Sequence, residues 1–145
     1  MPSRYPSRQE IVDEMSTINV FDAIAPLVLW KDKNYTGQWK SKDTNQKIDC
    51  LIKLAYEMYY QVSDDSAGVL HVLKNNRYAF HPGRNVIFID QNRVSILSTL
   101  HEIAHAICGE SELKACAYSI KLFAQVFPNE YARLEWHGHM LRLKR

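Results

Sequence analysis

The sequence predicts an α+β fold, with two N-terminal helices, a small three-stranded antiparallel sheet and three helices after it. Three observations predict this. Apolar residues recur at helical spacing up to Val62, the pattern changes to short β-type runs between Val69 and Asp90, and helical spacing resumes near Val94. At 145 residues the chain is long enough to bury one core and short for two, so a single domain over 1–145 is expected.

The first helix is expected from Arg8 to about Ala25. Ser7 and Glu10 stand at capping-box spacing, Ile11, Met15 and Ile18 follow at helical intervals, and Pro26 weakens the end. Lys31 to Asn45 reads as a polar loop. In the second helix Ile48, Leu51, Ile52, Ala55, Met58, Tyr59 and Val62 form one apolar face. After Ser63-Asp64-Asp65-Ser66 and Gly68, three strands are expected at Val69 to Leu73, Arg77 to Phe80 and Val86 to Asp90, joined as a meander through Lys74-Asn75-Asn76 and His81-Pro82-Gly83-Arg84-Asn85. A helix then runs from near Val94 to Cys108, where Gly109 stops it. Ser111 caps another through Phe127, Pro128 ends that one, and Asn129 caps a last helix to the C-terminus.

A formal net charge of +2 is too small to argue for nucleic acid or an acidic membrane surface. The opening residues lack the apolar core and small-residue cleavage site of a secretory signal, and Phe21 to Trp30, interrupted by Asp22 and Pro26, is too short to span a bilayer. Three cysteines, Cys50, Cys108 and Cys116, match no disulfide framework, which favours a reducing, cytoplasmic location.

The segment that carries chemistry is His101-Glu102-Ile103-Ala104-His105, an HExxH pattern. A helical residue turns by about 100°, so two histidines four apart lie within roughly 40° of each other and can meet one ion. On the same wheel Ile96, Leu100, Ile103 and Ile107 fall between roughly 200° and 260° from His101, a coherent buried stripe with Leu97 and Ala104 beside it. Glu102 falls near about 100°, next to the histidines and away from the stripe. Two neutral imidazoles suit zinc, zinc polarises a water, and the neighbouring carboxylate can accept its proton.

The strand Val86-Ile87-Phe88-Ile89 followed by Ser95 to Ile107 resembles the strand and active-site helix of zincin metallopeptidases, over about the C-terminal half of the chain. The resemblance implies a zinc cofactor, His101 and His105 as ligands, Glu102 as general base acting on a zinc-bound water, and a peptide or protein substrate. Glu112-Leu113-Lys114-Ala115-Cys116 looks like the element that supplies a third, glutamate ligand in gluzincins, including the minimal ImmA/IrrE-like and HtpX-like peptidases. Glu112 is therefore the leading third ligand, and Gly109 allows the reversal that its short distance from His105 needs. Cys116 departs from the family, which carries Asp or Asn there. Trp136-His137-Gly138-His139-Met140 is similar to the His-Gly element of SprT-like metallopeptidases, which makes His137, and after it His139, the alternative third ligand. The metzincin pattern is excluded by Cys108 and Ser111, which stand where its glycine and third histidine would fall.

The same resemblance implies an oxyanion donor, for which Tyr118, His137 and His139 are candidates, and an edge strand that aligns substrate, for which Val86 to Asp90 is the expected one. Cys108 projects near the histidines at roughly 340° but reads more simply as a buried structural thiol. His71 and His81 belong to no second motif and read as structural, and Trp30 and Trp39 as packing groups. Two other functions fit the same sequence: a zincin-fold binding or regulatory module that cleaves nothing, and a helical interaction protein in which HExxH is accidental.

Overall fold

In the computed structural model, which describes residues 5–63 and 67–144, the chain begins with α1 (Arg8–Met15), α2 (Phe21–Asn34), a 3-10 turn (Trp39–Ser41) and α3 (Thr44–Val62). Residues 1–4 of the opening segment, and Asp64, Asp65 and Ser66 of the predicted turn, lie outside the described residues. The Ser7–Glu10 capping box is present in both directions at the start of α1. The single long helix expected up to Ala25 is two helices. Ser16 Oγ and Thr17 Oγ1 donate to the carbonyls of Asp13 and Glu14, which turns the last backbone groups of α1 to local partners. Asn19 Oδ1 then accepts from Phe21 N–H and starts α2. Pro26 sits inside α2 rather than at a helix end. In the second turn of the helix it forfeits only the bond to the Asp22 carbonyl, and the burial of Ala23, Leu27 and Trp30, each with no exposed surface, offsets that loss.

Asp43 and Gln46 form a second capping box for α3. The predicted apolar face is buried at Ile48, Leu51, Ala55, Met58 and Tyr59, and Leu54 joins it with no exposed surface. Leu54→Ala is expected to lower the free energy of unfolding by about 2–5 kcal/mol, measured by chemical denaturation, because it leaves a cavity in the main apolar core. Trp30 donates from Nε1 to the Cys50 carbonyl at 2.8 Å and meets Trp39 edge to face, so both tryptophans pack as expected.

The sheet contains β1 (His71–Asn75), β2 (Ala79–His81) and β3 (Val86–Asp90) in the order β1-β3-β2. It is neither a meander nor wholly antiparallel. β3 runs parallel to β1 and antiparallel to β2. Its residues Val86, Ile87 and Ile89 are buried, whereas β1 buries Val72 alone. The strand with apolar side chains on both faces takes the centre, where both faces are covered. Placed there, β3 has no free edge, and the strand expected to align substrate cannot do so. Asn85, at φ 54°, ties the sheet to α3 by donating to Tyr59 Oη at 2.9 Å and to the Val69 carbonyl at 3.0 Å.

Two helices follow, α4 (Ile96–Cys108) and α5 (Glu112–Val126). Ser95 and Ser111 cap them, with Oγ accepting from Ser98 N–H and Lys114 N–H. The long last helix expected after Asn129 is one turn, α6 (Pro128–Tyr131), followed by a hairpin of β4 (Leu134–His137) and β5 (Met140–Leu143). Pro128 opens α6 at a position where its missing N–H costs nothing. Gly138, at φ 64°, makes the hairpin turn, and Lys144 N–H closes the open end on the Arg133 carbonyl. The observed class is thus α+β, with six helices and two small sheets among the described residues. No helix among them is long and apolar enough to cross a membrane.

The main core joins α2, α3, the sheet, α4 and α5 around Trp30, Leu51, Met58, Ile87, Leu100 and Phe127. A smaller cluster packs Ile11 of α1 against Cys116, Ala117 and Ile120 of α5. That second cluster covers a different side of α5 from the one that enters the main core through Ala115, Tyr118 and Leu122.

Candidate metal centre

The start of α4 is fixed by Tyr78, whose hydroxyl accepts from Ser95 N–H at 2.8 Å and donates to the Arg93 carbonyl at 2.7 Å. From there the predicted wheel holds in its essentials: Leu100, Ile103 and Ala104 are buried in the core, Ile96, Leu97 and Ile107 are half-buried against it, and His101 and His105 share the opposite side. Their rings lie 4.8 Å apart between centroids and nearly perpendicular. Glu102 stands beside them at 8% exposure.

Gly109 ends α4 at φ 97°, in the region that favours glycine, and only Glu110 and Ser111 intervene before α5 folds back. The first residue of α5 is Glu112, and this reversal carries it to both histidines. His101 Nε2 lies 2.8 Å from Glu112 Oε1, and His105 Nε2 lies 3.1 Å from Oε2. On the other side of the His105 ring, Nδ1 lies 3.0 Å from the Gly109 carbonyl. A carbonyl only accepts, so Nδ1 carries a proton; Nε2 donates to Glu112 when the ring is charged and is the nitrogen available to a metal when it is neutral. Phe80 of β2 lies parallel to the same ring.

Cys116, one turn beyond Glu112 on α5, donates from its thiol to Glu112 Oε1 at 3.7 Å. The departure noted in the sequence thus supplies a weaker donor in place of a carboxyl or amide. Burial, and then the adjacent Glu112 carboxylate, push the Cys116 thiol up to about 12, so it stays a protonated donor at neutral pH. Glu112 itself is held far below the usual carboxylate range by the hydrogen bonds from His101 and His105. Burial alone would lower the His105 pKa, but the bonds to Glu112 and Gly109 more than offset it and the net shift is upward. Glu102 is raised by burial, against the opposing pull of His101 and His105.

These residues form a group able to hold a metal ion. The ligand atoms of His101, Glu102 and His105 lie within 4.8 Å of one another, as do those of His101, Glu112 and Cys116. Two imidazole nitrogens converging on one carboxylate are a nitrogen–oxygen donor set that suits zinc among common divalent cations. The space in front of them is a cavity of about 370 Å³, lined by His101, Glu102, Glu112, Tyr78 and His139 among others.

The remaining candidates separate clearly. His137 is exposed on β4, faces Glu135 at 3.1 Å and belongs to neither metal-holding group. His139 lines the cavity but stacks on Tyr5, with ring centroids 4.3 Å apart, and belongs to neither metal-holding group. Tyr118 is buried in the main core, where burial raises its pKa, and does not line the cavity. Cys108 packs against the core, and His71 and His81 are exposed on β1 and β2; none of the three belongs to a metal-holding group. Tyr78 and Tyr5 line the cavity without having been singled out. Tyr78 sits in a strand-like run with nothing local to mark it, and its partner Ser95 lies 17 positions on.

Fold and site together define an α+β protein with a histidine–glutamate cluster between two successive, packed helices, suited to a divalent cation. No family model matches the chain, and neither does any curated protein or solved structure.

Proposed function

We propose that the chain is a zinc-dependent metallopeptidase of the minimal gluzincin type, with His101, His105 and Glu112 as ligands and Glu102 as general base. The observation that carries the reading is the single Glu112 carboxylate meeting both Nε2 atoms, one oxygen to each ring. Zinc, when bound, supplies a Lewis acid that makes a water acidic and polarises a substrate carbonyl. Glu102, buried on the cavity wall, takes up a proton and returns it to the departing amine. The Gly109 carbonyl holds the His105 ring in the tautomer that a metal needs, and Ile11 packs the helix that carries Glu112. His139 is the one proposed oxyanion donor that lines the cavity, and β2, which bears Phe80 beside His105, is the sheet edge nearest the site.

Cys116→Ala tests the support of the third ligand. Loss of the thiol donor is expected to weaken zinc binding about 10–100-fold in competition with a chelator, as loss of an outer hydrogen bond to a ligand typically does. Unchanged affinity would remove Cys116 from the site.

The grouping of Cys116 with His101 and Glu112 favours a second reading, a closed four-ligand zinc module that binds or regulates and cleaves nothing. Cobalt substitution separates the two. A strong near-ultraviolet thiolate-to-cobalt band, lost in Cys116→Ser, supports the closed module; its absence together with peptide cleavage supports the peptidase.

A further inference from the structure

The cavity in front of His101 and Glu102 does not end at the hairpin. Leu97 of α4 and Leu141 of β5 line it and also line a second cavity, of about 340 Å³, beyond them. The two therefore adjoin as a bipartite groove divided by Leu97 and Leu141, between the first turn of α4 and β5. The far cavity is aromatic, built on Tyr35, Trp39 and Phe127, whose rings meet at centroid distances of 5.5 and 5.1 Å. Arg93 and Arg142 stand at its exposed rim. Among the described residues neither guanidinium has a carboxylate within ion-pair distance, although Glu130 lines the same cavity and Glu135 is the cross-strand partner of Arg142. On β5 the exposed Met140 lines the metal cavity and the exposed Leu143, on the opposite face of the strand, lines the far one.

We infer that this far cavity is a substrate-recognition subsite that takes a large aromatic side chain flanked by an acidic residue. The aromatic walls and the exposed Leu143 favour a bulky apolar group, and the two rim arginines, which outnumber the one lining carboxylate of Glu130, favour an adjacent carboxylate. Met140 and Leu143 are three residues apart on β5, which at about 3.3 Å per residue spans roughly 10 Å. An extended peptide following the groove therefore places the recognised side chain about three to four residues from the bond at the metal site. The inference rests on the peptidase reading for its cleavage site, but not for its binding.

The test uses zinc-loaded full-length protein carrying Glu102→Gln, and two labelled twelve-residue Ser/Ala peptides, one with a central Trp-Asp pair and one with Ala-Ala there. Fluorescence anisotropy is expected to show at least tenfold tighter binding of the Trp-Asp peptide. Adding Arg93→Glu and Arg142→Glu, both at exposed positions, is expected to remove that preference. Equal affinities, no binding of either peptide, or a preference untouched by the charge reversals overturns the inference. So does a wild-type dimer that Leu143→Glu converts to monomer, because a second copy would then fill the groove. Preferential binding without cleavage by the wild type sinks the peptidase reading alone; cleavage without preference sinks the subsite alone.

Discussion

Glu102→Gln is expected to retain one zinc per chain and to lose peptide hydrolysis by about 10²–10⁴-fold, the contribution typical of a positioned general base. The amide keeps the shape of a side chain that is 8% exposed and packed beside both histidines, so the fold has no reason to change. It cannot take up a proton. In the metal-free protein the same burial raises the Glu102 pKa above the usual carboxylate range, against the pull of His101 and His105. Metal analysis and a cleavage assay on one preparation decide the matter. Full activity in the variant sinks the assignment of the base. Loss of zinc sinks it differently, because Glu102 is grouped closely enough with His101 and His105 to be a ligand, and would then be one.

How much of this was legible in the sequence depends on whether the signal was local. Ser7 with Glu10, Ser95 to Cys108, Gly109 and Ser111 were readable because caps and helical stripes are written within one or two turns. The break after α1 was less so: Ser16, Thr17 and Asn19 act through side-chain bonds that compete with a helix only weakly, and Pro26 drew attention to the wrong place. Strand order is not local at all. The run Val86 to Asp90 reads as a strand, expected at the sheet edge, but its place between β1 and β2 depends on what covers the sheet. The C-terminal hairpin was hidden by the residues around Asn129, which do form a helical turn before Leu134 and Trp136 change the period. At the site, HExxH spacing was enough to align two histidines. The convergence of Glu112 on both depended on the φ of Gly109, and the donor role of Cys116 on a contact one turn into the next helix.

Zinc and pH should act on stability in opposite directions, and the reason lies in Glu112 and His105. Without metal, the depressed Glu112 pKa contributes stability that is present above the ordinary glutamate value and is lost as pH falls through the folded one. The raised His105 pKa contributes stability that is present below the ordinary histidine value and is lost as pH rises through the folded one. The His105–Glu112 contact is common to both shifts, so it is strongest between about pH 4.3 and 6.5 and weakens as pH rises further. Zinc needs the same Nε2 atoms unprotonated, so it competes with the protons that stabilise the metal-free cluster and binds more tightly as pH rises. At a thousandfold excess over its Kd it stabilises the fold by about 4 kcal/mol, on the order of 10 °C in Tm for a chain of this size. Thermal melts with and without zinc are thus expected to lie close together near pH 5 and to separate steadily above pH 6.5. Glu112→Gln should flatten the metal-free dependence and close most of that gap, because it removes the carboxylate that both imidazoles face. Curves that stay parallel across the range, or a gap that survives in Glu112→Gln and disappears in His137→Ala or His139→Ala, would move the third ligand from α5 to the hairpin.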